Sequence, residues 1–255
     1  MRIPMIAANW KMHKNISEAV QFIDQYAELL NAAQLETVIC PAFPLLAAVG
    51  EACRRHGLRL GAQNMYWETA GAFTGEVSPL MLKDLQVDYV IIGHSERRRL
   101  FGETDQQVAR KIKAACQHEI IPILCVGETL EQRQAQQTLG VISEQVTTAL
   151  AGLDPSQVRK IVIAYEPVWA IGSGLAATAA DADAVAAQVR KIIGEQFNLK
   201  TAQDVRILYG GSVNRDNIAE FMQAAEIDGA LVGGASLDAS VFAAIVNTAA
   251  EVSFA

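Results

Sequence analysis

The sequence predicts an α/β protein, a single (β/α)8 barrel of eight parallel strands surrounded by helices, with residues 1–255 forming one domain. Three observations carry this expectation. Strand-like and helix-like segments alternate eight times along the chain. No Gly- or Ser-rich linker, low-complexity stretch or internal repeat divides the 255 residues, a length α/β barrels reach as one domain, and 51% hydrophobic residues supply a large core. The polar residues able to do chemistry fall after the carboxyl ends of the strand segments, which a closed barrel gathers on one face. An open doubly wound sheet is the alternative; one closed sheet makes these residues neighbours.

Each element follows from its local pattern. Residues 3–8 form an apolar, strand-like run that ends in Asn9-Trp10-Lys11. Ser17 offers an N-cap for a helix with Val20, Ile23, Ala27 and Leu30 on one face, and the second strand, 37–40, stops at Pro41. The alternation continues with a helix over 44–55, a strand over 58–62 ending in Gln63-Asn64, a helix over 79–85, and a strand over 89–92 ending in Gly93-His94. A helix over 105–118 leads to a strand over 121–126, then Gly127-Glu128 and a long helix over 130–150. The sixth strand starts at Ile161 and runs into Glu166. After it come a helix over 179–196, a strand over 205–208, a helix over 215–224, a strand over 229–232 and a helix over 238–249.

Charge and cysteine content narrow the function. With 21 Lys and Arg against 28 Asp and Glu, the net charge of −7 disfavours a nucleic-acid partner, so an anionic ligand must be held by local features. Cys40, Cys53, Cys116 and Cys125 lie in or near apolar runs without C-x-x-C spacing, the pattern of reduced, packed thiols in a cytoplasmic protein. The amino terminus has no signal-peptide core, and no apolar run approaches the roughly 18 residues of a membrane span. His13, His56, His94 and His118 show no ligand-like spacing with acidic or Cys clusters, so no metal is expected.

The candidate chemistry centres on Glu166. Its strand-end position after Ile161, Val162, Ile163 and Ala164 should desolvate the carboxylate and raise its pKa, which suits a general base. The following loop starts stiff at Pro167-Val168-Trp169 and ends flexible at Gly172 and Gly174, as a lid would. Lys11 follows an apolar strand, so its stem packs while its ammonium offers charge to a phosphate or an oxyanion. His94 precedes Ser95, and a helix starting there would disfavour the imidazolium and keep a neutral ring able to polarise a carbonyl. Gly210-Gly211-Ser212 and Gly233-Gly234 follow the last two strands, where barrel phosphate sites form from backbone N–H groups. Singly, each has a plain structural explanation: a solvated strand-end Glu, a surface lysine, a hydrogen-bonding histidine, a Gly-Gly turn.

Ordered motifs join them. AANWKMHK at 7–14, GAFTGEVSP at 71–79, IIGHSERRRLFGE at 91–103, CVGE at 125–128, AYEPVWAIGSG at 164–174, YGGSV at 209–213 and LVGGASL at 231–237 span the chain, and by them it resembles the triosephosphate isomerase family, which implies a TIM barrel. The resemblance implies a cofactor-free isomerase that interconverts dihydroxyacetone phosphate and D-glyceraldehyde 3-phosphate through an enediolate, in glycolysis and gluconeogenesis. It implies Glu166 as the base, His94 as the neutral electrophile, Lys11 as the stabilising cation and Asn9 as support. Asn9, Lys11, Gly172, Ser212, Gly233 and Gly234 would bind substrate. The implied lid is Pro167, Val168, Trp169, Ala170, Ile171, Gly172, Ser173, Gly174, Leu175, Ala176 and Ala177. Its far end departs from the family's usual residues at Ser173, at Leu175-Ala176-Ala177 and at Ala179, while Thr178 and Asp181 still offer a helix cap. Thr74 is similar to the residue that reaches across the family's homodimer interface toward the partner's Asn9, Lys11 and Glu96, and Ser95, Glu96 and Arg97 are expected to support the site or the interface. The exposed aromatics of 65–78 also favour a second copy as partner, and Arg97 is expected to pair with Glu76 or Glu103. The competing readings are another phosphate-sugar barrel enzyme and a non-catalytic phosphate-binding barrel; both lack a reason for Lys11, His94 and Glu166 to occur together.

Overall fold

A computed structural model describes residues 2–31, 35–171 and 177–254. Among these residues eight strands close into a parallel barrel in sequence order: β1 (Met5–Asn9), β2 (Glu36–Cys40), β3 (Arg59–Ala62), β4 (Tyr89–Ile92), β5 (Ile121–Val126), β6 (Val162–Tyr165), β7 (Arg206–Tyr209) and β8 (Gly229–Val232). Met5 pairs with Glu36 on one side and Gly229 on the other, which closes the ring.

The strand period of two builds two cores. Met5, Ala7, Val38, Cys40, Tyr89, Ile91, Ile123, Cys125, Val162, Ala164, Leu208 and Leu231 pack together in the lumen. The alternate residues, Ile6, Ile39, Ile92, Leu124, Ile163 and Ile207 among them, face outward into a larger cluster with the helices. Two residues beyond Ala7 comes Asn9, and two beyond Ala164 comes Glu166. The periodicity that fills the lumen therefore aims these side chains into its mouth. At the opposite end Glu36 accepts a hydrogen bond from the Tyr89 hydroxyl at 2.8 Å and pairs with Arg206 at 2.5 Å, closing the floor of the barrel.

Three local expectations need correction. The first helix, Ile16–Leu29, is capped by Asn15 and not by Ser17: Asn15 accepts the Glu18 N–H while the Glu18 side chain accepts the Asn15 N–H. The helix expected over 130–150 is two, Leu130–Gln134 and Thr138–Leu150, because the chain turns at Gln136, whose φ is 57°. The helix expected over 215–224 shortens to Ile218–Met222, since the Asn214 side chain accepts the N–H groups of Asp216 and Asn217 and holds that stretch as a turn.

Candidate active site

The mouth of the barrel is a cleft of about 490 Å³ whose lining includes Asn9, Lys11, His94, Ser95, Glu96, Glu166, Ile171, Gly211, Ser212, Gly233 and Gly234. β1, β4, β6, β7 and β8 deliver these residues at their carboxyl ends, as the alternation implied.

Glu166 is 2% exposed. Its N–H continues the ladder to the Val126 carbonyl at 2.7 Å, which fixes where the side chain leaves the backbone. Glycine flanks it on both sides. A Cβ on Gly127 would stand 1.7 Å from the Glu166 carbonyl oxygen, and one on Gly210 would stand 2.9 Å from Glu166 Cγ. The carboxylate is held by two donors: the Ser95 N–H reaches Oε2 at 2.8 Å, and His94 Nε2 lies 2.9 Å from Oε1. Burial alone would raise its pKa, as the sequence led us to expect. The attraction and hydrogen bond of His94, the Ser95 N–H and the charge of Lys11 outweigh burial, and the carboxyl is held below its ordinary range.

His94 is buried at the N-cap of the helix Ser95–Phe101, and its Nδ1 accepts the Glu96 N–H at 3.2 Å. A ring nitrogen that accepts carries no proton, so this contact places the proton on Nε2, facing Glu166. Burial disfavours the imidazolium; the neighbouring Glu166 carboxylate, with Glu96, more than offsets that and raises the His94 pKa in this arrangement. The raising effect comes chiefly from Glu166, so movement of that carboxylate toward a ligand would return the ring to the neutral form that its Nδ1 contact selects.

Lys11 occupies the left-handed region, φ 52°, a strained conformation for a residue with a Cβ. Asn9 Oδ1 accepts its N–H at 3.0 Å, and Gln63 Nε2 donates to its carbonyl at 2.8 Å. Its ammonium pairs with Glu96 at 2.6 Å and opens onto the same cleft. Across the cleft, Gly233 and the turn Gly234–Ser236 leave the N–H groups of Gly233 and Gly234 without a partner among the described residues, and Ser212 is exposed beside them. The cleft thus combines a carboxylate, an imidazole N–H, a lysine cation and backbone donors without a partner among the described residues, a set suited to a dianion.

A family model described as triosephosphate isomerase matches residues 4–249. The chain is 54% identical over 247 residues to the triosephosphate isomerase of Moorella thermoacetica, covering 97% of this chain and 99% of that one. It is 52% identical over 247 residues to that of Clostridium perfringens, covering 97% and 100%, and 52% identical over 249 residues to that of Dictyoglomus thermophilum, covering 97% and 100%. The chain belongs to the triosephosphate isomerase family.

Within this isomerase fold some strand-end polar residues serve the scaffold. Gln63 also donates to the Cys40 carbonyl at 2.8 Å, and Asn64 accepts from Lys111 at 2.8 Å. Glu128 is fully buried, accepting from the Tyr165 hydroxyl at 3.2 Å and from Trp169 Nε1 at 2.8 Å. That bond anchors the start of the expected lid, where Pro167 precedes the turn Val168–Ala170 and Ile171; Arg133 stacks on the Trp169 ring at 4.2 Å. At its other end Ala177 is buried and the Thr178 and Asp181 capping box forms. Gly172, Ser173, Gly174, Leu175 and Ala176 lie outside the described residues. Thr74 is exposed, and Arg97 pairs with Glu103 at 3.5 Å, one of its two expected partners.

Two features escaped the sequence reading. Lys111, deeply buried, pairs with Glu103 and Asn64 beneath Arg97. Its heptad-like place on the apolar side of the helix Asp105–Gln117, beside Val108 and Ile112, was the available signal. The other is Arg98, which donates to the Gly93 carbonyl at 2.7 Å and pairs with Asp105 at 2.6 Å, fixing the turn that carries His94.

Proposed function

We propose that this isomerase, acting as a single barrel domain, interconverts dihydroxyacetone phosphate and D-glyceraldehyde 3-phosphate by moving one proton between adjacent carbons. The observation that carries the reading is the convergence of Glu166, His94 and Lys11 in one cleft with the N–H groups of Gly233 and Gly234, which have no partner among the described residues. Substrate phosphate binds at Gly233, Gly234 and Ser212, with Gly172 of the lid as a further donor, and Asn9 supports the opposite end. Glu166 then leaves Ser95 and His94 and takes the proton from carbon, forming an enediolate. The freed Nε2–H of His94 donates to the carbonyl oxygen as negative charge develops there, and Lys11 stabilises the same charge. Glu166 returns the proton to the neighbouring carbon. The lid over 167–177 excludes water during the intermediate's lifetime and holds the phosphate against elimination.

On this reading the protein works in glycolysis and gluconeogenesis, in the cytoplasm, and uses no cofactor, nucleic acid or membrane. No helix among the described residues is long and apolar enough to cross a membrane. The working unit is a homodimer. Met12 is 93% exposed, Phe101 70% and Phe73 40%, all near Thr74 or the mouth of the barrel, an apolar surface that a second copy would cover.

A coupled assay for glyceraldehyde 3-phosphate formation, with 2-phosphoglycolate as inhibitor, tests the function. Turnover that the inhibitor suppresses is expected; absence of turnover in folded protein would refute it. Sedimentation equilibrium should give twice the mass of one chain, and a monomer mass would refute the dimer.

A further inference from the structure

The first loop holds a second lysine that the mechanism above does not use. Lys14 lies three residues after Lys11 and, like it, in the left-handed region, φ 72°. That conformation is costly for a residue with a Cβ. Lys14 turns inward: its ammonium donates to the Leu237 carbonyl at 2.7 Å and lies over the rings of Trp10 and Phe22, 5.3 and 4.6 Å from their centroids. Glu18 and Asp238 supply the nearby negative charge.

This contact is half of a clamp between two loops. Trp10, fully buried, donates its indole N–H to the Ser236 carbonyl at 3.1 Å. Two consecutive carbonyls, Ser236 and Leu237, therefore hang from the loop after β1. Ser236 ends the turn Gly234–Ser236 and Leu237 caps it, and the Ser236 hydroxyl donates back to the Gly233 carbonyl at 2.7 Å. The same turn presents the N–H groups of Gly233 and Gly234, and a Cβ on Gly233 would stand 3.5 Å from Lys11 Cε. The cation of the site and its backbone donors are thus carried by two loops whose spacing the clamp sets.

We propose that Lys14 is a positioning residue for phosphate binding, clamping the loop after β8 onto the loop after β1 so that the Gly233 and Gly234 amides keep their distance from the Lys11 ammonium. The proposal rests on the reading of those amides as phosphate donors. It touches no reacting atom; its effect reaches the substrate through the two loops.

Lys14→Met keeps the packed stem and removes the ammonium; Lys14→Arg keeps a cationic donor. Loss of one charge-assisted hydrogen bond corresponds to about a tenfold effect. Lys14→Met should therefore raise KM for glyceraldehyde 3-phosphate and Kd for 2-phosphoglycolate about tenfold, with Lys14→Arg recovering most of it. Isomerisation of D-glyceraldehyde, which has no phosphate, should stay within about twofold of wild type. Lys14→Gly, which adopts the same φ without strain, carries the test if Lys14→Met does not fold. Unchanged 2-phosphoglycolate binding in the variants, or equal loss on both substrates, would overturn the proposal. Failure of the wild type to bind 2-phosphoglycolate would overturn the phosphate-site reading beneath it.

Discussion

Replacing Gly210 with alanine should injure the base while leaving the substrate's binding groups in place. The new Cβ would stand 2.9 Å from Glu166 Cγ and 3.2 Å from the Tyr165 carbonyl oxygen. That carbonyl is fixed, because it accepts the Gly210 N–H at 2.7 Å, so the relief must come from the Glu166 side chain. Its Cγ falls about 0.5 Å short of the 3.4 Å at which ordinary contact begins. A displacement of about 1 Å in a reacting group costs about 100-fold in rate, so half of that costs about tenfold, or roughly 1.4 kcal/mol of barrier. Overpacking should also lower stability by about 1–3 kcal/mol. In the coupled assay, kcat should fall about tenfold while KM and 2-phosphoglycolate affinity stay within about twofold. An unchanged kcat in folded Gly210→Ala would refute the steric argument. A raised KM with intact kcat would show that Gly210 acts at the phosphate instead.

Other consequences are measurable by unfolding. Lys111→Met leaves the buried Glu103 with only the longer Arg97 contact at 3.5 Å and should destabilise the protein by about 3 kcal/mol in denaturant titration, the lower end for a broken buried pair; a loss below about 1 kcal/mol would contradict the buried pairing. Asn15→Ala should cost about 1 kcal/mol and Ser17→Ala much less, and the reverse order would restore Ser17 as the cap. Glu166 and Asp181 have pKa values below their ordinary ones in the fold. Their contribution is complete above the ordinary carboxylate range, about 4, and is lost as pH falls through the folded values. The melting temperature should therefore drop as pH falls below about 4, less steeply in Asp181→Asn; parallel profiles would exclude Asp181 from the effect.

The barrel was legible because its information is local and periodic. The alternation of Met5, Ala7 and Asn9, or of Val162, Ala164 and Glu166, is written in adjacent residues, and closing the sheet does the rest. Residues at strand ends were therefore found, but their use was only partly readable. Asn9, Lys11, His94 and Glu166 line the cleft, whereas Gln63, Asn64 and Glu128 spend their polar groups on the scaffold. Nothing local distinguishes the two sets, since their partners lie far away in the sequence. The direction of the Glu166 pKa failed for the same reason: burial is read from its own strand, while Ser95 and His94 come from another. Gly210 was read as a phosphate donor, yet its missing Cβ makes room for Glu166, a reason visible only in three dimensions. The Asn15 cap, by contrast, was available locally, because Glu18 stands three residues on, as a capping box requires.

The central claim is that Glu166 moves the proton. Glu166→Gln preserves shape and most hydrogen bonding while removing the base. The direct measurement is kcat of this variant in the coupled assay, alongside its affinity for 2-phosphoglycolate. The account predicts a fall in kcat of at least about 100-fold, the scale of a positioned general base, with inhibitor affinity changed by less than about tenfold. Turnover within about tenfold of wild type, with the inhibitor still bound, would contradict it.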